Sequence, residues 1–172
     1  MNYKILHDAI AEGLCIEKSL VIWANQNGTR PNKDHATIQL MTAVEETPAE
    51  ERRNADDHSV HTRYLVSFDV NYYSIEHMKA TDKIMQLLDY LCLPTTYSKL
   101  DSGGMVYVDY DNVQDLTALI DGVRWESRAN VTLKIRTVNV NDIDELAIES
   151  VIVERNGNDG TEQIPINKTD KL

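Results

Sequence analysis

Two stretches of alternation constrain this chain more than any other feature. From Val60 to Asn71, the side chains of Val60, Thr62, Tyr64, Val66, Phe68 and Val70 fall on one side of an extended backbone. Those of His61, Arg63, Leu65, Ser67, Asp69 and Asn71 fall on the other. After Trp125, Val131, Leu133 and Ile135 alternate with Thr132, Lys134 and Arg136. A period of two marks a half-buried strand and cannot keep one helical face apolar. Because both sides of the first stretch carry bulk, it is expected to lie centrally in a sheet or to pack on a partner.

The remaining elements follow from local signals. Ile5, Leu6, Ala9, Ile10, Gly13 and Leu14 recur at helical spacing and predict a helix over Tyr3–Ile16. Leu20–Ala24 reads as a short strand, and Asn27-Gly28 with Pro31-Asn32 as a turn. Thr37–Glu45 predicts a second strand with Ile38, Leu40, Thr42 and Val44 on one side. Glu46–Ser59 has one proline and no aliphatic residue larger than alanine, which predicts a long exposed loop. Ser74 is placed to cap a helix running to Tyr90 or Cys92, with an apolar stripe of Ile75, Met78, Met85, Leu88 and Leu91, stopped by Pro94.

Asp101-Ser102-Gly103-Gly104 reads as a turn and Met105–Tyr110 as a short strand. Asp111–Asp121 reads as a connector with a turn of helix. The strand after Trp125 is expected to turn at Asn141-Asp142 and pair with a run containing Leu146, Ile148, Ile152 and Val153. The order predicts an α+β fold: a mostly antiparallel sheet with two main helices packed on one face and a long loop between strands 2 and 3. One domain is expected over 1–155, with an extended or flexible tail over 156–172.

Composition narrows the function. The 172 residues carry 28 acids against 17 Lys and Arg, a formal net charge of −11. A basic nucleic-acid footprint is absent, so tight phosphate binding is disfavoured; such a surface repels DNA, or simply keeps a protein soluble. Cys15 and Cys92 sit in apolar helix-like contexts, which predicts buried thiols and no bridge. No apolar run approaches the ~20 residues of a membrane helix. The amphipathic, acid-bearing start MNYKILHDAIAEG is unlike a signal peptide, so a reducing cytoplasm is the expected compartment.

Chemistry-bearing motifs are few. His58 and His61 are close in sequence, but no further metal-ligand spacing accompanies them. Asp109 and Asp111 resemble the start of a divalent-ion site and equally any acidic strand edge. There is no nucleophile elbow, phosphate loop or dinucleotide fingerprint. No catalytic residue, cofactor or metal is assigned. Glu126 and Arg128 are two apart, so a strand turns both to one face, where they pair with each other or with a neighbouring subunit's charges.

The order of these segments resembles the terminator proteins in the neck of tailed bacteriophages. The resemblance spans about Tyr3–Glu154. It is carried by the N-terminal helix, the strand from Arg63 through Val66-Ser67 to Asn71-Tyr72-Tyr73, the helix after it, and Trp125-Glu126-Ser127-Arg128-Ala129 with its strand. His77, Lys79 and Asp82 depart from Ala-richer relatives, and the segment beyond Asn156 has no counterpart in the pattern.

The resemblance implies a virion structural protein and no enzyme. It implies a homo-oligomeric, hexameric ring at the head-proximal end of the tail tube, which stops tube polymerisation and meets the connector or stopper. The tail tube protein, the connector and, in a contractile tail, the sheath protein are the implied partners. DNA is met only in transit, and no membrane is involved. On that reading the Glu46–Ser59 segment, with Glu46, Glu50, Glu51, Arg52, Arg53, Asp56 and Asp57, is a docking loop. Some of the acids of the Lys- and Arg-free stretch, Asp101, Asp109, Asp111, Asp115 and Asp121, line the channel. Glu126 and Arg128 pair between subunits. The competing readings are a head–tail adaptor or stopper and, from another class, a small cytoplasmic α+β enzyme or ligand-binding protein.

Overall fold

A computed structural model describes residues 3–26, 30–54, 57–75, 79–120, 122, 124–142, 150–153 and 162–165. The chain opens with α1 (Lys4–Leu14), a single 3-10 turn over Lys18–Leu20 and β1 (Val21–Trp23). Two long strands follow, β2 (His35–Asn54) and β3 (Asp57–Ser74), and then α2 (Ala80–Leu91) and α3 (Pro94–Asp101). Next come β4 (Met105–Tyr110), β5 (Gln114–Asp115), β6 (Ala118–Ile120) and β7 (Arg124–Asp142). The last elements are β8 (Ser150–Val153) and β9 (Glu162–Pro165).

The main sheet has the order β1-β2-β3-β7-β4, and β5 and β6 continue along β7 beside β4. The central position expected for the Val60–Asn71 strand is what β3 occupies. The sheet is mixed: β1 runs parallel to β2, with Val21 opposite Ala36, while the other pairs are antiparallel. β8 and β9 form a separate antiparallel pair.

One face of the sheet meets the helices. Val66, Phe68, Val70 and Tyr72 of β3 and Ala129, Val131, Leu133 and Ile135 of β7 are fully buried there. They pack with Leu6, Ile10 and Leu14 of α1, Ile84, Leu87 and Leu91 of α2, and Leu100 of α3. Removing one such large side chain costs about 2–5 kcal/mol through lost transfer energy and an unfilled cavity. Gly13 lets α1 and α2 approach: a Cβ there would lie 2.7 Å from Leu87 Cδ1 and 3.0 Å from Tyr90 Cδ1.

Several expectations are corrected. The Glu46–Ser59 segment is no loop. It continues β2 and β3 as a hairpin paired as far as Asn54 opposite Asp57. The described residues hold three α-helices and not two, because Pro94 opens α3 at its first turn as well as closing α2. Ser74 ends β3, and the N-cap position of α2 is Lys79. The Ser74 hydroxyl donates to Asp34 Oδ2 (3.0 Å), while Ser127 Oγ on β7 accepts the Ala80 N–H at the start of α2 (3.3 Å).

The α2 stripe is rotated from the expected one: Ile84, Leu87, Leu88 and Leu91 are buried, whereas Met85 and Ile75 are exposed and Met78 lies outside the described residues. The connector holds two short strands and no helical turn. Among the described residues β8, with Ile152 and Val153, pairs with β9 and not with β7, while Leu146 and Ile148 lie outside them. Cys15 and Cys92 are both exposed thiols. A register shift between Leu40 and Thr42 also breaks the expected face of β2. Leu40 lies opposite Phe68 on the helix side, and Thr42 lies opposite Ser67 on the other side.

Candidate functional site

The sheet face away from the helices is polar along its length. Register places His35, Tyr73 and Arg128 in one row across β2, β3 and β7, and Thr37, Asn71 and Asn130 in the next. Gln39, Asp69 and Thr132 follow. Directly opposed residues share a face, so three short polar runs become one continuous surface. Asn71 Oδ1 accepts from Arg128 Nη2 (3.0 Å) and Asn130 Nδ2 (3.2 Å), and Asp69 Oδ1 accepts from the Thr132 hydroxyl.

The His35–Tyr73–Arg128 row is the most elaborated part of that face. The His35 and Tyr73 rings stack at 4.7 Å and 7°. The guanidinium carbons of Arg30 and Arg128 lie 4.7 and 5.0 Å from the Tyr73 ring centre. Such cation–aromatic contacts hold long side chains in place at about 0.5–2 kcal/mol each. His35 Nδ1 donates to the Lys33 carbonyl (2.8 Å), which leaves Nε2 to accept from Arg30 Nε (3.4 Å). Burial, with the Arg30 charge beside it, holds the His35 pKa below its ordinary value, so the ring is neutral in this network.

Arg30 also donates to Glu126 Oε1. The segment leading to His35 is tied down by Asp34, which accepts from the Tyr72 and Ser74 hydroxyls (3.2 and 3.0 Å) and from the Ile75 N–H (2.8 Å). Two adjoining hollows of about 170 and 290 Å³ open here, sharing Arg30, Pro31, His35, Tyr73 and Glu126 in their walls.

The residues singled out in the sequence fall in three places. Glu126 and Arg128 share the helix-free face, but they do not pair with each other. Glu126 meets Arg30, and Arg128 meets Asn71 and Tyr73. Arg30, His35, Asp34 and Tyr73 were missed. Their only sequence signal is aromatic and basic residues at the ends of strands whose register is set by the hydrophobic pattern elsewhere.

The docking-segment residues stand on the β2–β3 hairpin. Arg136 of β7 makes a two-pronged ion pair with Glu46 (2.5 and 2.8 Å), Glu50 meets Arg52 and Arg63 (3.3 and 3.5 Å), and Glu51 meets His58 (2.5 Å). The backbones of Arg53 and Asp57 are in the ladder, and Asp56 lies outside the described residues. His58 and His61 are three apart on a strand and so point to opposite faces, which prevents them from gripping one ion together.

The acids of the Asp101–Asp121 stretch do not share one surface. Asp109 lies opposite Lys134 on the helix-free face, and Asp111 pairs with the Lys134 ammonium (2.6 Å). Asp115 lies opposite Ala129 on the helix side and binds the Thr117 amide and hydroxyl; Asp101 ends α3. All four are exposed, and Asp121 is outside the described residues. Among the described residues, no three His, Cys, Asp or Glu side chains converge as metal ligands, and no helix is long and apolar enough to cross a membrane.

The two margins of the sheet differ from its polar face. Beyond Ile38, β2 has no strand on its outer side among the described residues, and Leu40, Met41 and Val44 are exposed along it. At the other margin, Val108 and Tyr110 of β4, Leu116 and Leu119 near β5 and β6, and Leu93 and Tyr97 around α3 are exposed. Comparison with protein families matches residues 2–161 to the model described as phage neck terminator protein. A search of curated proteins finds no match.

Proposed function

The chain belongs to the phage neck terminator family, a family of virion structural proteins, and from that premise we propose that it forms the ring that ends the tail tube. Copies associate margin to margin, six to a ring. The ring caps the tube at its head-proximal end, halts polymerisation and joins the tail to the connector.

The observation that carries this reading is the pair of apolar margins on opposite sides of one sheet. The margin of β2 has unpaired backbone groups and exposes Leu40, Met41 and Val44. The margin of β4 exposes Val108 and Tyr110. Uncovered edges of this kind invite pairing by another chain. Because the two patches are different and lie on opposite margins, the contact is heterologous, and repetition with a closing rotation makes a ring.

The β2–β3 hairpin supplies the docking element. It is a stiff arm and not a loop, and its acidic tip reaches the tube or connector. Asp109 and Asp111, on the helix-free face, are the acids best placed to line the channel, with Asp101 and Asp115 nearer the helices. A negative patch at the β4 end of that face, away from its Arg30–Arg128 end, lets DNA pass with few lasting phosphate contacts.

The test is electron microscopy of particles whose terminator carries Met41→Asp and Val44→Asp. Loss of rings and overlong or ragged tails is the expected result. Headless tails of normal length would favour the adaptor or stopper reading instead.

A further inference from the structure

We propose that the Arg30–Tyr73–Arg128 hollow is a docking socket for an acidic, extended segment of an adjoining protein of the particle, seating carboxylate side chains against its cations. The proposal rests on the neck-terminator reading for the presence of such a neighbour. The charge distribution comes first. The chain carries −11, yet Arg30, Lys33, Arg124 and Arg128 all line these two adjoining hollows, with Glu126 the one acid among the described lining residues. Cations gathered against the trend of the whole chain create a local field that selects anions.

The internal pairing does not use these cations up. Glu126 is taken by Arg30. Arg128 spends one nitrogen on Asn71, and its Nε is shielded from solvent with no hydrogen-bond partner. The side chains of Lys33 and Arg124 are exposed and have no hydrogen-bond or ion partner among the described residues. A planar guanidinium with a donor to spare is the group best matched to a carboxylate. The socket is also set in advance: Tyr73 is stacked by His35 and contacted by both arginines, and Asp34 fixes the segment beside it. Little side-chain freedom is lost by Arg30, Tyr73 and Arg128 on binding.

Hollows of about 170 and 290 Å³ are large enough to admit acidic side chains. Trp125 and Ile75, 58% and 63% exposed at the rim, offer apolar surface to the stems of an acidic peptide.

The test titrates the isotope-labelled full chain with acetylated tetraglutamate amide, with tetralysine amide and a short DNA duplex as separate arms, followed by NMR. The expected result is saturable shifts at Arg30, His35, Tyr73, Arg124 and Arg128 with tetraglutamate alone. Affinity should fall about tenfold in the Lys33→Gln/Arg124→Gln variant, whose replaced side chains are both exposed and whose spectrum otherwise overlays the parent. Absence of saturable shifts up to tens of millimolar, or shifts elsewhere, overturns the proposal. Tighter duplex binding at the same residues overturns it in favour of phosphate. Failure of the terminator reading is separable: particles lacking the protein would have tails of normal length whatever the titration gives.

Discussion

The body and the arm of the sheet are built from the same three strands, yet they are held by different forces. In the body, β3 and β7 bury Val66, Phe68, Val70 and Tyr72 and Val131, Leu133 and Ile135 beneath the helices. In the arm, the same strands continue past that cover. Val44, Val138 and Val140 are 59%, 39% and 49% exposed, and every described residue of β2 from Leu40 to Arg52 is exposed. The alternation is similar in both regions, and the presence of a helix decides whether its large apolar side chains are buried. The arm is left with its backbone ladder, small buried hydroxyls such as Ser59 and Thr62, and ion pairs such as Arg136–Glu46.

This contrast predicts a graded response to substitution. Phe68→Ala or Leu133→Ala should cost about 3–5 kcal/mol in chemical denaturation. Val140→Thr in the arm should cost under ~0.5 kcal/mol, and equal losses at the two sites would remove the distinction. Gly13→Val should cost about 1–3 kcal/mol, because its added carbons meet Leu87 and Tyr90 in a packed seam. A thermal midpoint unchanged by that substitution would mean that α1 and α2 can separate freely.

The third prediction concerns pH. The His35 pKa is lowered in the folded state by burial first and then by Arg30, while the unfolded histidine titrates near 6.5. Below 6.5 the unfolded chain therefore binds more protons, so stability falls as pH drops from 6.5 through the lower folded value. Urea midpoints across this range should show that loss, and His35→Gln should flatten it. The smallest effect is expected in the arm. A double-mutant cycle on Arg136 and Glu46 should give a coupling of at most ~1 kcal/mol, reduced by salt. The ion pair also holds the Glu46 carboxyl below its ordinary value, so this contribution is present above pH 4.5 and lost as pH falls through the lower folded value.

The same contrast explains what was legible in the sequence. β3 is legible at the centre because its apolar alternation has a helix-covered face to answer to, and β4 is legible at Met105–Tyr110 as a short run of β-formers after Gly103-Gly104. The hairpin extension was read as a loop because ETPAEERRNADD contains nothing to bury. Such a strand is specified by its partner's backbone, and periodicity is silent about it. Pro48 reinforced the loop reading, but it sits on the outer strand in the register break between Thr47 and Glu50, where a missing N–H costs the ladder little. The socket was half legible. Glu126 and Arg128 announce a shared face by their spacing, whereas Arg30, Asp34, His35 and Tyr73 reach it only through the β2–β3–β7 register.

The irregularity at Met41 gives the arm an unusual tolerance of deletion. Met41 is the surplus residue between Leu40, opposite Phe68, and Thr42, opposite Ser67. Removing its codon would leave Thr42 and Val44 facing the same residues of β3 and Glu46 beside Arg136, whereas a residue lost from β3, which has no surplus there, would carry the side chains beyond it to the other face. Two chains each one codon shorter would then present matching or inverted surfaces to whatever the arm touches, according to which strand was shortened.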